Sequence, residues 1–257
     1  MAVATISDGT LYYTDHRKAD SPFTSIILIH GAGGSHLDWH PSLRRLPEAN
    51  AIAIDLPGHG KSTASGRRTI EDFAADIVTL VDEIDLERAI FAGHSMGGAI
   101  TQMLALLYPE RVESIILIGT GAKLGVHSDI LHRVLQDQEE VGNLLKTWIW
   151  AEDAPTAMRE IGYARFMENP PQVIYDDYSA CNAFDIRSRL GEIDVPALVI
   201  GGTQDQMTPA KYSAYLADHI KDSTLFMVED GGHMMALEQP QTVADAVKNW
   251  LIQQKNG

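Results

Sequence analysis

The chain has 257 residues, of which 45% are hydrophobic and 21% are charged, as expected for a globular protein large enough to bury one sizeable core. Its formal net charge is −15, and such an acidic surface disfavours nucleic acid and anionic membranes as partners. The single cysteine, Cys181, excludes an internal disulfide and a cysteine-based metal site. Residues 1–9 lack the pattern of a secretory signal, so a cytoplasmic protein is expected.

Short apolar runs alternate with longer helical patterns along most of the chain. The runs are apolar on both faces, as parallel strands must be when helices cover both sides of a sheet. We therefore predict a doubly wound, mostly parallel α/β sheet, with an antiparallel hairpin at residues 5–14 that turns at Asp8-Gly9. The predicted strands are residues 25–30, 51–55, 89–92, 114–118, 197–200 and 224–228. The predicted helices are residues 37–46, 70–84, 96–108, 210–219 and 240–254.

Residues 123–190 interrupt this alternation, because no convincing strand occurs among them. Helical patterns cover residues 130–150, 156–167 and 172–182, and prolines at positions 155, 170 and 171 separate them. The sequence thus predicts a core domain in two parts, residues 1–122 and 191–257. A helical cap, residues 123–190, is inserted between these parts.

One run could be mistaken for a membrane span. Residues 89–108 contain no Asp, Glu, Lys or Arg, and 20 residues can cross a bilayer. The middle of the run, however, reads Gly93-His94-Ser95-Met96-Gly97-Gly98, and glycine and histidine are unexpected at the centre of a span. A buried strand, a sharp turn and a buried helix would give the same composition. We therefore predict an interior segment and no membrane insertion.

The same run contains the motif G-x-S-x-G, as Gly93-His94-Ser95-Met96-Gly97. Chemistry at such a serine requires a tight strand-to-helix turn that projects the hydroxyl into a cleft, and small residues on either side permit the close backbone approach. The predicted strand directly before the motif and helix directly after it match this context. Ser95 is therefore the candidate nucleophile, whereas His94, its neighbour in the turn, should point away from the serine hydroxyl.

With this motif the chain resembles the α/β-hydrolases over nearly its whole length, and the turn is similar to that of carboxylesterases and monoacylglycerol lipases. The resemblance implies a catalytic serine, acid and histidine in that order along the chain. Asp205 follows the strand at 197–200 in a loop that resembles the family's acid loop, and His233 follows the last strand. Asp194 precedes its strand and so lies at the wrong end of the sheet. Asp230 is only three positions from His233 and is interpreted as a polar residue that keeps the loop solvated, not as the acid.

The resemblance also implies an oxyanion hole. The strand at 25–29 runs into His30-Gly31-Ala32-Gly33-Gly34, and the family uses the backbone amide of the residue after His-Gly together with the amide that follows the nucleophile. Those residues are Ala32 and Met96. His30 is predicted to support this loop by hydrogen bonding, and the loop at 55–62 is given a structural role. Glu238 is interpreted as an N-terminal charge of the last helix.

Other sites are disfavoured by single residues. The glycine-rich loop at 31–36 follows a strand as in a dinucleotide fold, but His36 occupies the position of the third glycine. Gly60-Lys61-Ser62 could end a phosphate loop, but Asp55 occupies the position of its first glycine. His36 and His40 are four residues apart, but Leu37 replaces the glutamate of H-E-x-x-H. We therefore expect neither a metal nor a cofactor.

The predicted function is hydrolysis of a small-molecule carboxylic ester with an apolar acyl or aromatic group, through an acyl-enzyme intermediate. A small-molecule receptor with slow turnover is an alternative, as are a lactonase, a perhydrolase and a proline iminopeptidase. Methionines next to the three catalytic candidates, and aromatic residues of the cap, indicate an adaptable apolar pocket. The pocket candidates are Trp148, Met158, Met207 and Met234. The oligomeric state is left open.

Overall fold

The computed structural model describes residues 2–18 and 21–256, and the predicted α/β architecture is confirmed. The strands are β1 (Ala2–Ile6), β2 (Gly9–Asp15), β3 (Ser25–Ile29), β4 (Asn50–Ile54), β5 (Ala89–His94), β6 (Val112–Ile118), β7 (Ala197–Gly202) and β8 (Ser223–Val228). They form one sheet in the order β1-β2-β4-β3-β5-β6-β7-β8. The hairpin β1–β2 and the pair β2–β4 are antiparallel, and the remaining pairs are parallel. The sheet is therefore doubly wound and mostly parallel, with the predicted hairpin at one edge.

Helices cover both faces of this sheet, as the two-sided apolar strands require. Ile27 and Ile29 of β3 pack into one core cluster, and Ile26 and Leu28 pack into the other. This alternation follows from the two-residue period of a strand. The helices are α1 (Pro41–Arg44), α2 (Ile70–Glu83), α3 (Met96–Leu107), α4 (Ser128–Val134), α5 (Gln138–Trp148), α6 (Thr156–Met167), α7 (Pro171–Ala183), α8 (Ala210–His219), α9 (Met235–Glu238) and α10 (Pro240–Asn256).

Two helix predictions are wrong in their extent. The helix expected at 37–46 is instead a 3₁₀ turn, His36–Asp38, followed by α1. Pro41 causes the break, because a proline ring disfavours the helical conformation of the residue before it. That residue, His40, accordingly has an extended ψ of 148°. The helix expected at 130–150 is two helices, α4 and α5. Asp137 begins the second one, because its side chain accepts the backbone N–H of Glu140 at 2.9 Å.

Helices α4 to α7 lie between β6 and β7 and have an apolar cluster of their own. Its buried members include Val141 and Leu145 of α5, Phe166 of α6 and Ile174 of α7. A further α7 residue, Cys181, packs instead into the core cluster that lies over the sheet. The four helices thus pack both against one another and against the rest of the molecule.

Residues 89–108 contain β5, Ser95 and all of α3, and most of them are buried in the interior. Among the helices within residues 2–18 and 21–256, none combines the length and apolar character needed to cross a bilayer.

The parallel strands bring four loops to one edge of the sheet. Residues 30–34 follow β3, Ser95 follows β5, Asp205 follows β7 and His233 follows β8. Because neighbouring parallel strands end on the same side, loops at their carboxyl ends meet and form a crevice.

Candidate active site

Ser95 lies on a strained turn between β5 and α3. Its φ of 52° and ψ of −116° are unusual for a residue with a side chain, and such strain concentrates at functional sites. A Cβ on Gly93 would lie 2.0 Å from the Gly97 carbonyl oxygen, and a Cβ on Gly97 would lie 2.1 Å from the Ile29 carbonyl oxygen. Both glycines of the motif are therefore required by direct backbone contact, as the sequence predicted.

The turn is held by hydrogen bonds on both sides of the serine. The backbone N–H of Ser95 donates to Ile118 O of β6 at 3.0 Å, and the Thr120 hydroxyl donates to Ser95 O at 2.8 Å. Met96 is the first residue of α3, so its amide N–H has no acceptor within the helix. Its side chain is buried in the core, so a contribution of Met96 to the site would come from its backbone alone.

His233 and Asp205 form a buried pair beside this turn. His233 Nδ1 lies 2.9 Å from Asp205 Oδ2, and each residue is 5% exposed. Burial favours a neutral Asp205, but the charge of His233 and the hydrogen bonds to the carboxylate outweigh it, so the pKa of Asp205 is lowered. The ionised carboxylate accepts Nδ1–H and so fixes the orientation of the His233 ring.

Thr208 is a member of this arrangement that sequence reasoning did not single out. Its hydroxyl donates to Asp205 Oδ2 at 2.8 Å, and its backbone N–H and that of Met207 donate to Asp205 Oδ1 at 2.9 and 2.8 Å. The carboxylate therefore accepts four hydrogen bonds, including that of His233. The sequence signal that could have identified Thr208 is its position, three residues after Asp205 and directly before Pro209, which precedes α8.

His94 packs against His233 and forms a hydrogen bond to its backbone. Its Nε2 donates to the His233 carbonyl oxygen at 2.9 Å, and the two ring centroids are 4.7 Å apart. Burial, together with the positive charge of His233, lowers the pKa of His94 to about 3. His94 is thus a neutral support for the histidine loop.

Residues 30–34 form a tight turn in which Gly34 N donates to Gly31 O at 3.1 Å, with Ala32 and Gly33 as its central residues. His30 Nδ1 donates to Gly31 O at 2.7 Å, and its Nε2 accepts Leu56 N–H at 3.0 Å. Burial and the charge of His59 lower the pKa of His30 to about 3, so this ring is neutral. His30 supports the loop by hydrogen bonding, in agreement with the prediction.

Asp55 likewise has the structural role that the sequence predicted. It is buried, and its carboxylate accepts the backbone N–H and Nδ1–H of His36 at 2.7 and 2.8 Å and Lys61 N–H at 2.9 Å.

A cavity of about 650 Å³ lies above the site. Ala32, Ser95 and His233 line its floor, and residues of α5 and α6 line the opposite wall. Positions 142, 145, 146 and 149 all face it, which is the spacing of a single helical face.

Three of the four predicted pocket residues line this cavity: Met158, Met207 and Met234. The fourth, Trp148, is not among the residues that line the cavity and packs against the apolar cluster of α4 to α7. It lies one heptad after Val141 and shares the buried face of that residue. Trp150, two residues further on, lines the cavity instead.

Glu238 also lines the cavity. The sequence suggested that it is an N-terminal charge of the last helix, but its carboxylate binds elsewhere. It is the final residue of α9, and its carboxylate accepts Gly232 N–H at 2.6 Å and Ala151 N–H at 3.2 Å. Burial raises its pKa despite these two hydrogen bonds. Glu238 thus joins the loop of His233 to the segment that follows α5.

Comparison with known proteins identifies the family. A model of the alpha/beta hydrolase family matches residues 26–246. The chain is 30% identical to 3-oxoadipate enol-lactonase 2 of Acinetobacter baylyi, over 95% of this chain and 94% of that protein. It is 33% identical to a candidate carbamate hydrolase of Variovorax paradoxus, over 87% and 89%. The structure of a thermophilic esterase matches with a TM-score of 0.86 and 28% identity, over 98% of this chain and 97% of that one. The chain therefore belongs to the alpha/beta hydrolase family and is a hydrolase.

Proposed function

We propose that this chain is a serine hydrolase that cleaves carboxylic ester bonds through an acyl-enzyme intermediate. The observation that carries the proposal is the 2.9 Å contact between His233 Nδ1 and Asp205 Oδ2, beside a strained Ser95 on the floor of the same cavity. A nucleophile, a base and a buried carboxylate that orients the base are the three elements that acyl transfer requires.

In the proposed mechanism Ser95 Oγ attacks the ester carbonyl while His233 Nε2 takes its proton. The backbone amides of Ala32 and Met96 donate to the oxyanion of the tetrahedral intermediate, where each donor stabilises the transition state by about 3 kcal/mol. His233 then protonates the leaving alcohol. Water, deprotonated by His233, attacks the acyl-enzyme and releases the acid, which restores Ser95. Asp205 stabilises the imidazolium that forms in both steps.

The cavity supports an apolar acyl or aromatic substituent. Leu145, Ile149, Met158 and Phe166 line the wall opposite the serine. The cationic lining residues are paired, because Lys146 forms an ion pair with Glu160, and Arg165 lies 3.5 Å from Asp38. Residues 123–190 would act as a cap over the core formed by residues 1–122 and 191–257, and its α5 and α6 would contact the acyl group.

Lactone hydrolysis is a second candidate, because the enol-lactonase of Acinetobacter baylyi is 30% identical over nearly the whole chain. A lactone is a cyclic carboxylic ester, so the same attack by Ser95 opens the ring and the alkoxide stays tethered to the acyl group. The two candidates differ only in whether the alcohol leaves the cavity after the first step.

The test is hydrolysis of p-nitrophenyl esters of increasing acyl length. In parallel, hydrolysis of aliphatic lactones is measured by the release of protons. Wild type is compared with Ser95→Ala. We expect sustained turnover by wild type and a loss of about 10⁴-fold or more in the variant. Equal turnover by Ser95→Ala would refute the serine mechanism, whereas one burst of product without turnover would favour a receptor. A clear preference for lactones would favour the second candidate.

A further inference from the structure

The peptide groups on both sides of Gly33 are held by residues of the predicted cap. Asp177 Oδ2 accepts the N–H of Gly33 at 2.8 Å, and Asn169 Nδ2 donates to the carbonyl oxygen of Gly33 at 2.8 Å. Asp177 belongs to α7, and Asn169 lies between α6 and α7. Their exposed fractions are 0% and 8%, so both bonds are shielded from water. The donor and the acceptor of one loop residue thus have buried partners from residues 123–190.

Gly33 directly follows Ala32, the proposed oxyanion donor. Its N–H belongs to the peptide plane that joins it to Ala32, so holding this N–H restricts the ψ angle of Ala32. Gly33 itself has a φ of +64°, and a Cβ there would lie 2.7 Å from Ile174 Cδ1 of α7. The turn is thus packed directly against the cap helix, with no space for a side chain between them.

Asp177 is also tied to the core by a second bond. His59 Nε2 donates to the same Asp177 Oδ2 at 2.8 Å, and His59 Nδ1 donates to Pro57 O at 2.9 Å. Both ring nitrogens face acceptors, which requires an imidazolium. Burial lowers the pKa of His59, but the charge of Asp177 and its hydrogen bond outweigh this, so the pKa lies above its ordinary value. His59 also faces the ring of His30, at 4.9 Å between centroids, and the charge of Asp55.

The second carboxylate oxygen of Asp177, Oδ1, is buried. Within the described part of the chain, no group donates a hydrogen bond to Asp177 Oδ1. The buried charge is therefore balanced by His59 and the Gly33 amide alone, and loss of either partner would leave it poorly compensated. The pair of Asp177 and His59 thus holds α7, the loop at 30–34 and the loop at 55–62 together.

We propose that Asp177 and Asn169 are positioning residues for the oxyanion hole, and that they orient the Ala32 amide through the Gly33 peptide. The hole is then complete only when α7 is seated on the core, so catalysis depends on a cap residue that need not touch the substrate. This inference rests on the proposed function, since it assumes that Ala32 is an oxyanion donor.

The test compares Asn169→Ala and Asp177→Ala with a matched control on α7. Asp176→Asn removes a carboxylate that also joins the cap to the core, through Arg68 at 3.1 Å, but does not reach the oxyanion loop. We expect kcat for a p-nitrophenyl ester to fall about 10- to 100-fold in both test variants, since loss of one oxyanion donor costs up to about 10²–10³-fold. We expect KM to change less than about threefold, and the control to stay within about twofold of wild type.

A second readout separates alignment of the hole from general loss of packing. A trifluoromethyl ketone adds to Ser95 Oγ, the serine proton passes to His233, and the resulting hemiketal oxyanion occupies the hole. Its affinity should fall by the same factor as kcat/KM in the folded test variants. Asp177→Asn keeps an acceptor for Gly33 N–H, so its kcat should recover above that of Asp177→Ala. If Asp177→Ala does not fold, Asn169→Ala alone decides.

The outcomes distinguish the two proposals. An unchanged kcat and ketone affinity in Asn169→Ala, with Ser95→Ala inactive, would overturn the inference but leave the serine mechanism standing. A raised KM with unchanged kcat would also overturn it, because the residues would then affect substrate binding only. Turnover by Ser95→Ala would refute the proposed function itself, whatever the cap variants do.

Discussion

Replacement of Asp205 by asparagine should trap His233 in the wrong tautomer. Asp205 Oδ1 accepts two backbone N–H groups, from Met207 and Thr208, so this position must be taken by the carbonyl oxygen of the new amide. The NH₂ group then occupies the position of Oδ2, 2.9 Å from His233 Nδ1. An NH₂ group can only donate there, so Nδ1 must accept and the ring proton moves to Nε2.

A histidine protonated at Nε2 cannot take the proton of Ser95. The same change in a serine protease lowers kcat by about 10⁴-fold, which corresponds to about 5 kcal/mol of transition-state stabilisation. We expect a loss of this size in kcat/KM for a p-nitrophenyl ester at pH 7. The thermal midpoint should fall by only a few degrees, since amide and carboxylate have nearly the same shape.

Asp230→Asn is the matched control. Asp230 lies three residues before His233 and accepts the side-chain amide of Gln204 at 3.0 Å, and its φ of 55° suits asparagine. Its kcat/KM should stay within about twofold of wild type. A loss of less than tenfold in Asp205→Asn, with the protein folded, would refute the tautomer argument and the role of Asp205 as the acid.

Three further predictions concern packing, charge and the cavity. Gly97→Ala places a Cβ 2.1 Å from a backbone oxygen of β3 and should cost about 3 kcal/mol, or about 9 °C in the thermal midpoint by calorimetry, whereas Gly125→Ala meets no atom within 4 Å and should be neutral. The raised pKa of His59 means that its pairing with Asp177 stabilises fully below about pH 6.5 and is lost as pH rises through the raised value. Asp177→Asn should therefore lower the free energy of unfolding by about 2 kcal/mol at pH 6 and by less at pH 9 in urea titrations, and an equal loss at both pH values would contradict this. Met158→Ala enlarges the cavity and should move the preferred p-nitrophenyl ester to a longer acyl chain, and an unchanged optimum would place the acyl group elsewhere.

The region of helices α4 to α7 not only covers the site but also contributes hydrogen bonds to the loop at 30–34. Residues of α5 and α6 line one wall of the cavity, and Asp177 of α7, together with Asn169 between α6 and α7, holds the peptide groups of Gly33. A further contact joins this region to the histidine loop, because Glu238 accepts both Gly232 N–H and Ala151 N–H. Changes in the seating of these helices are therefore expected to reach both the oxyanion loop and the loop of His233.

The sequence by itself determined the sheet and the order of its loops. Runs that are apolar on both faces need helices on both sides, and parallel strands place the ends of β3, β5, β7 and β8 at one edge. The glycines around Ser95 were also predictable, because backbone contacts of about 2 Å from a Cβ tolerate no other residue. These features depend on local pattern and on neighbours a few positions apart.

Only the tertiary structure decided which distant residues support the site. Asp177 lies 144 positions after Gly33, and Glu238 lies 87 positions after Ala151, so neither contact leaves a pattern in the local sequence. Trp148 and Trp150 are equally plausible pocket residues on composition, but Trp148, the last residue of α5, packs against the apolar cluster of α4 to α7, whereas Trp150, beyond the end of the helix, lines the cavity. A buried hydrogen bond between remote segments depends on how helices seat on the sheet, and that packing is set by the whole core at once.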